Sequence, residues 1–199
     1  MLNFVVISGK NTFNISTASA IVAAAAGVTV AKHGNKSVSS KSGSADVLTA
    51  LGVNISVSPE KMETCLAEIG IAFLFAPSLH PAMKYAIGPR KEMGIRSIFN
   101  VLGPLTNPAG AKRGVLGVYS KDIVEMVATA AAGNGAERLF VVHGSDGLDE
   151  ITITGNTTIS EVNNGKVTSY EFDPTSIGLE LASIESLVGG EPEENAQII

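Results

Sequence analysis

The chain has 199 residues, 45% of them hydrophobic, and its formal net charge is −5. This length is sufficient for one domain with its own core, so the sequence predicts a single α/β domain over residues 1–199. The acidic balance argues against nucleic-acid binding, the one cysteine excludes an internal disulfide, and no apolar run reaches the ~20 residues of a membrane-spanning helix. Because the start lacks the pattern of a secretory signal, we expect a cytoplasmic protein with small-molecule ligands.

Short runs of β-branched and aromatic residues predict five strands. They lie at residues 4–7, 28–31, 71–75, 115–119 and 139–142. Helical segments alternate with several of these runs, and strands joined by crossover helices pair in parallel. The sequence therefore predicts an α/β fold with a largely parallel central sheet flanked by helices.

Serine residues ahead of helix-forming runs predict where helices begin. The predicted caps are Ser16, Ser44, Ser58 and Ser120, and the helix after Ser16 is expected to stop at Gly27. The residues expected on the apolar faces are Met62, Leu66 and Ile69 after Ser58, and Ile123, Val127 and Ala131 after Ser120. Farther on, Asn163-Asn164-Gly165 predicts a β-hairpin turn. The part of the chain beyond Gly155 is expected to be peripheral to any functional site.

Two segments carry groups suited to phosphate. Residues 9–17 form a polar turn before a helix, where backbone N–H groups favour an anion, although an ordinary helix cap explains this turn equally well. Residues 30–46 contain three lysines, five serines and two glycines in one connection. Such a loop suits a multiply phosphorylated ligand, and its position between a strand and a helix argues against a flexible linker.

Asp149-Glu150 follows closely on the last predicted strand, where ligands of open α/β sheets bind. Paired carboxylates suit Mg²⁺ that also binds substrate phosphates. Taken alone, a solvated turn explains this pair better, and the phosphate-type loop is what favours a metal site.

The segment of residues 78–108 is rich in proline and glycine, so His80 and Arg90 are expected to be held rigidly within it. Arg90 has the planar guanidinium group that binds carboxylates.

At these motifs the chain resembles the anthranilate phosphoribosyltransferase family, from about Gly9 to its C-terminus. The matching residues are Asn14-Ile15-Ser16-Thr17, Lys32-His33-Gly34-Asn35, 37–48, 80–84, 99–108 and Gly147-Leu148-Asp149-Glu150. The resemblance implies transfer of phosphoribosyl from phosphoribosyl pyrophosphate (PRPP) to anthranilate, releasing pyrophosphate, in tryptophan biosynthesis. It also implies the catalytic-domain fold shared with nucleoside phosphorylases, Mg²⁺ as cofactor, and no covalent nucleophile.

The resemblance implies a role for each matching residue. PRPP would be bound by Asn14, Ser16, Thr17, Lys32, Asn35 and Ser40. Anthranilate would be bound by Asn35, His80, Arg90 and Gly103. Magnesium ligands would be Ser16, Asp149 and Glu150. Family members form homodimers through a helical domain, and the resemblance implies that this domain and the closing helices are missing from the present chain.

One departure from the family pattern concerns the family's glycine-rich Gly-Thr-Gly-Gly-Asp turn, which wraps the pyrophosphate. The present chain has Phe4-Val5-Val6-Ile7-Ser8 at that position. Bulky side chains prevent the close backbone approach that glycine allows, so low activity is expected. Two alternatives stay open: a non-catalytic remnant that binds PRPP, and a related nucleoside phosphorylase, against which residues 80–108 argue.

Overall fold

The computed structural model describes residues 1–5, 12–37, 41–83, 85–86, 88, 92 and 99–199. Across these residues the strands form one seven-stranded sheet, in the order β3-β2-β1-β4-β5-β6-β7. The strands are Leu2–Val5 (β1), Val30–Gly34 (β2), Ile71–Phe75 (β3), Arg113–Gly117 (β4), Arg138–Gly144 (β5), Thr157–Asn163 (β6) and Lys166–Phe172 (β7). Strands β1 to β5 pair in parallel, and β6 and β7 add an antiparallel edge. The predicted α/β class and largely parallel sheet are confirmed.

The helices of the described residues connect most of these strands. The α-helices are Ile15–Ala25 (α1), Ser44–Ala50 (α2), Pro59–Glu68 (α3), Ala76–Leu79 (α4), Phe99–Leu105 (α5), Val124–Gly133 (α6) and Pro192–Ile198 (α7). Short 3-10 helices are Pro81–Met83, Lys121–Ile123, Pro174–Ile177 and Ile184–Leu187. Within the described ranges, no helix is long and apolar enough to cross a membrane.

Strand β2 differs from its prediction in a way that affects the site. It begins at Val30 rather than at residue 28 and extends to Gly34, because its pairing with β3 continues as far as Gly34 opposite Phe75. Lys32 and His33 therefore lie within a strand, although the sequence placed them in a loop. Strand β3 is confirmed at both ends. Of the first predicted strand, residues 6 and 7 lie outside the described residues.

Two of the four predicted serine caps are wrong. The N-cap position of α1 is held by Asn14 and that of α2 by Gly43, so Ser16 and Ser44 lie inside the first turns of their helices. The Ser58 cap is confirmed, since its hydroxyl accepts from the Lys61 N–H at 3.4 Å.

The predicted apolar faces need one correction. Ile69 is 65% exposed at the C-cap of α3, where the backbone leaves helical geometry, so it is not part of the apolar face. Met62 is buried and Leu66 packs beside it, as predicted. The hydroxyl of Ser120 caps the 3-10 turn that precedes α6. Val127 and Ala131 are buried, and Ile123 packs against the same core.

Helices cover both faces of the sheet. Along β3 the side chains alternate, so Ala72 and Leu74 pack in the cluster that contains Met62 of α3, whereas Phe73 and Phe75 pack with the buried residues of α2. A separate cluster joins α6 to β4, β5 and β6. At the antiparallel edge the predicted hairpin is confirmed, with Asn164 at φ 47° and Gly165 at φ 82°.

The strand order places a crevice at one edge of the sheet. After β1 the chain adds β2 and β3 on one side, and it then adds β4 and β5 on the other side of β1. At such a switch point the connections leave the carboxyl ends of neighbouring strands in opposite directions, which opens a ligand crevice. The segments after β1, β2 and β5 all begin at this edge.

Candidate functional site

Lys32 is a buried cation near the carboxyl ends of the parallel strands. Its side chain is 3% exposed, and its Nζ donates to the Phe4 carbonyl oxygen at 3.2 Å and to Ser16 Oγ at 3.1 Å. Burial lowers the pKa of Lys32 to about 8, and the nearby charge of Glu150 opposes that shift. The ammonium group thus has two neutral hydrogen-bond acceptors and the carboxyl group of Glu150 near it, so a buried cation and an acidic group share this edge of the sheet.

Glu150 approaches the same point from the loop after β5. Burial and the adjacent Asp149 raise the pKa of Glu150 to about 8, while Lys32 and the backbone N–H of Ser16 act in the opposite direction. The carboxyl group of Glu150 therefore faces the N-terminus of α1. Asp149 is 4% exposed. The structure thus brings Ser16, Lys32 and the acidic pair together from three separate segments.

Two features that sequence reasoning missed hold the acidic pair in place. Asp146 accepts hydrogen bonds from the hydroxyls of Thr152 and Thr154 and from the backbone N–H of Leu148, which closes the loop on itself. Gly117 of β4 lies directly against Asp149, since a Cβ on Gly117 would be 2.6 Å from the Asp149 carbonyl carbon. The absence of a side chain there allows the loop to lie on the sheet.

Asn14, predicted to bind PRPP, lies beside this cluster at the start of α1. Its Nδ2 donates to the Ser42 carbonyl at 3.1 Å, and its Oδ1 accepts from Ser42 Oγ at 3.2 Å and from Asn195 Nδ2 at 3.0 Å. Asn195 belongs to α7, so the part of the chain beyond Gly155, expected to be peripheral to the site, contacts one of the predicted PRPP-binding residues. No sequence signal indicates this contact, because 181 positions separate the two residues.

A pair of histidines forms a second group at the end of β2. His33 is 5% exposed, and its Nε2 lies 3.2 Å from Nε2 of His80. Burial and the neighbouring His80 together lower the pKa of His33 to about 4, against the effect of a hydrogen bond to the backbone of Gly103. His80 and Gly103, both predicted to bind anthranilate, are therefore brought together around a neutral His33, which the sequence left without a role.

Lys32 and His33 are neighbours in a strand, so their side chains point to opposite faces of the sheet. The strand register confirms this, because Lys32 lies opposite Phe73 and His33 lies opposite Leu74. The cationic and acidic groups therefore lie on the face covered by α1 and α2, and the imidazole pair lies on the face covered by α3. The two candidate subsites therefore lie on opposite faces of the sheet beside the carboxyl end of β2.

Of the remaining predicted site residues, Thr17 and Asn35 are described by the structure and two others are not. Thr17 is 1% exposed in α1, and its hydroxyl has no hydrogen-bond partner among the described residues. Asn35 is exposed just beyond β2, and its carbonyl accepts from the Ala45 N–H at 3.1 Å, which ties the loop to α2. Ser40 and Arg90 lie outside the described residues. The binding roles of all these residues stay predictions.

The predicted magnesium ligands suit an Mg²⁺ ion that is coordinated partly by the protein and partly by the substrate. Within the described part of the chain, no three His, Cys, Asp or Glu side chains form a cluster that could hold a metal by themselves. Magnesium commonly takes only one or two carboxylates and completes its octahedron with water and phosphate oxygens. Asp149 and Glu150 would supply such a partial set, and the Ser16 hydroxyl, which accepts from Lys32 Nζ at 3.1 Å, stays the third predicted ligand.

Comparisons with known proteins agree with this architecture. The sequence profile described as "Glycosyl transferase family, a/b domain" matches residues 8–199. Anthranilate phosphoribosyltransferase of Acetivibrio thermocellus is 60% identical over 191 residues, which are 96% of this chain and 55% of the relative. The same enzyme of Geobacter sp. (strain M21) is 57% identical over 192 residues, or 96% of this chain and 54% of the relative. The chain thus spans about half the length of the curated relatives it matches.

Solved structures of such enzymes share the fold. Anthranilate phosphoribosyltransferase from Thermus thermophilus superposes with a TM-score of 0.92 at 47% identity, covering 99% of this chain and 59% of that chain. The Saccharomyces cerevisiae enzyme in complex with PRPP and Mg gives 0.88 at 34% identity, covering 99% and 55%. In complex with 4-fluoroanthranilate, the yeast enzyme gives 0.86 at 34% identity, covering 99% and 54%. The resemblance predicted from the sequence motifs is confirmed.

Proposed function

The chain belongs to the glycosyl transferase family through its α/β domain, and from this premise we propose that it carries the substrate-binding part of an anthranilate phosphoribosyltransferase. The reaction would transfer the phosphoribosyl group of PRPP to the amine of anthranilate, in the cytoplasm and as a step of tryptophan biosynthesis. The names of the relatives in two bacteria support this activity. Yeast enzyme complexes with PRPP and Mg and with 4-fluoroanthranilate support both substrates.

One observation carries the proposal: Ser16, Lys32 and Glu150 converge at the carboxyl ends of β1, β2 and β5. A cation, a helix N-terminus and a carboxylate at a switch point match a ligand that combines phosphate charge with a divalent cation. Neither an ordinary helix cap nor a solvated turn requires a buried lysine between them. The convergence therefore favours a phosphorylated substrate over both structural alternatives.

The chemistry needs position and charge rather than a covalent nucleophile. As the ribose C1–O bond to pyrophosphate breaks, the C1–N bond to the amine forms with inversion, pyrophosphate leaves, and the amine nitrogen gives up its proton to solvent. Charge grows on the leaving oxygens, so the ammonium of Lys32 stabilises the transition state more than the bound substrate. Asp149, Glu150 and Ser16 are the residues that would hold Mg²⁺, and a bound Mg²⁺ would supply further positive charge to the leaving group.

The two faces of β2 suit two different substrates. We place PRPP on the Lys32 face, with Asn14, Thr17, Asn35 and Ser40 around it. We place anthranilate on the His33 face, near His80 and Gly103, with Arg90 for its carboxylate. Because the pKa of His33 is lowered to about 4, that imidazole is neutral at physiological pH and adds no positive charge beside the aromatic substrate. The amine then reaches C1 at the strand end, where the two faces meet.

We further propose that the chain by itself is a weak catalyst. At the family's glycine-rich turn it carries Phe4-Val5-Val6-Ile7-Ser8, of which Phe4 and Val5 lie in β1 and the other three lie outside the described residues. Losing backbone contacts to the pyrophosphate costs several kcal/mol of transition-state binding, which corresponds to a kcat/KM below about a thousandth of that of the relatives. Binding is therefore a more sensitive test of function than turnover.

Calorimetric titration of the chain with PRPP and Mg²⁺ tests the proposal. We expect saturable binding that Lys32→Ala weakens by about 1.5–3 kcal/mol, because a hydrogen-bonded charge is lost. Lys36→Ala is the matched control, since Lys36 lies on the same connection but is exposed, and it should bind like the unsubstituted chain. Equal losses in both variants, or no binding at all, would contradict the proposed function.

A further inference from the structure

Helix α7 reaches the start of α1 through one buried side chain. Asn195 is 1% exposed, and its Nδ2 donates to Asn14 Oδ1 at 3.0 Å. The segment before α7 docks on the residues just ahead of Asn14, since the Phe13 N–H donates to the Leu187 carbonyl at 3.0 Å. The C-terminal segment is therefore fixed against the beginning of α1.

Asn195 has a single amide orientation in this contact. The Gly190 N–H donates to Asn195 Oδ1 at 2.8 Å, and the Gly190 carbonyl accepts from Asn195 Nδ2 at 3.3 Å. Because a backbone donor and acceptor cannot exchange roles, they determine which end of the amide is which. The other Nδ2 hydrogen of Asn195 points to Asn14. Asn14 must in turn present its oxygen to Asn195, which leaves its Nδ2 to donate to the Ser42 carbonyl at 3.1 Å.

This orientation changes what Asn14 does for α1. An asparagine at an N-cap usually accepts a hydrogen bond from an N–H group of the first turn. Asn14 makes no such side-chain bond, because Asn195 and the hydroxyl of Ser42 occupy its oxygen. The backbone N–H of Ser16 instead faces the carboxyl group of Glu150. The first turn of α1 is thus closed by the backbone carbonyl of Asn14, which accepts from the Thr17 N–H at 2.9 Å, and the Asn14 side chain is directed away from it.

We propose that Asn195 is a positioning residue for the phosphorylated substrate. It holds the oxygen of Asn14 away from the first turn of α1, and it leaves the second Nδ2 hydrogen of Asn14 for a phosphate oxygen. The inference rests on the proposed function, because it assumes that the anion at this helix end belongs to PRPP. It adds a residue of α7 to a site otherwise built from the carboxyl ends of the parallel strands.

The test uses the full chain with two substitutions at Asn195 and one matched control. Asn195→Asp keeps the shape and the bond from Gly190 but cannot donate to Asn14, and Asn195→Ala removes the amide without adding a buried charge. Glu194→Ala is the control: its carboxylate accepts from the Glu191 N–H at 2.8 Å in the same helix and has no hydrogen bond to Asn14. Two quantities are measured: the affinity for PRPP with Mg²⁺ by calorimetry, and the NMR resonances of the Asn14 side-chain amide, assigned with Asn14→Asp.

We expect both Asn195 variants to bind PRPP roughly tenfold more weakly, the effect of about one hydrogen bond. The Asn14 amide resonances should shift in both, and Glu194→Ala should change neither quantity. If Asn195→Asp does not fold, Asn195→Ala alone decides. Unchanged affinity, or an equal loss in Glu194→Ala, overturns the role of Asn195 while the proposed function stands. Absence of binding by the unsubstituted chain overturns the proposed function, and the inference with it.

Discussion

Gly117→Ala should displace the acidic pair without removing any of its atoms. A Cβ at Gly117 would overlap the carbonyl oxygen of Asp149 and lie 2.6 Å from its carbonyl carbon, whereas ordinary contacts begin at 3.4 Å. The Asp149 backbone must therefore move by more than the 0.8 Å that the contact with the carbon alone requires. It cannot turn aside as a flexible side chain does. Overpacking of this kind costs about 1–3 kcal/mol, and for a chain of this size that lowers the melting temperature by roughly 2–12 °C.

The displacement should weaken magnesium-dependent binding as well as lower stability. Misplacing a substrate-positioning group by ~1 Å can cost about a hundredfold in function, so we expect PRPP with Mg²⁺ to bind at least about tenfold more weakly to Gly117→Ala. The assays are thermal unfolding and calorimetric titration with and without Mg²⁺. Gly133→Ala is the matched control, because a Cβ at Gly133 meets nothing within 4 Å and the residue ends a helix.

We expect Gly133→Ala to keep full affinity and to be slightly more stable, since alanine favours a helix by about 0.5–1 kcal/mol over glycine. Unchanged affinity and unchanged magnesium dependence in Gly117→Ala would refute the reasoning. In that case either the loop tolerates the shift or the acidic pair does not take part in binding.

Three further predictions concern the groups of the site itself. Asp149→Asn combined with Glu150→Gln should abolish the magnesium dependence of PRPP binding, because two hard oxygen ligands lose their charge; calorimetry showing the same dependence would contradict this. Lys32→Ala should weaken the binding of PRPP and His80→Ala should weaken the binding of anthranilate, since the two side chains lie on opposite faces of β2. Each variant is titrated separately with each substrate. A variant that mainly loses affinity for the other substrate would contradict the assignment. Folding stability should fall as the pH drops from about 6.5 to 4, because unfolded His33 binds a proton that the folded side chain, with its pKa lowered to about 4, resists. His33→Gln should remove up to roughly 3 kcal/mol of that dependence, and denaturant unfolding at several pH values that shows parallel curves for both proteins would count against it.

The sequence by itself determined the fold class and the chemical types of the side chains at the candidate site. Alternating strand and helix signals predict the parallel sheet, because hydrophobic periodicity is local and survives in a single sequence. Ser58-Pro59 and Asn163-Asn164-Gly165 placed a helix start and a hairpin correctly, since capping and positive φ depend on a few adjacent residues. The motif around Lys32 likewise indicated phosphate from its composition.

Only the tertiary structure decided how these residues meet. The sequence ended β2 before Lys32, but pairing with β3 extends the strand and sends Lys32 and His33 to opposite faces. The contact between Asn14 and Asn195 spans 181 positions, and the support of Asp149 by Gly117 depends on two strands lying side by side. Periodicity and capping signals report interactions over a few residues, whereas these contacts depend on strand order and loop packing. The sequence therefore identified the candidate binding residues. The fold decided which of these residues share a subsite and which contacts hold them in position.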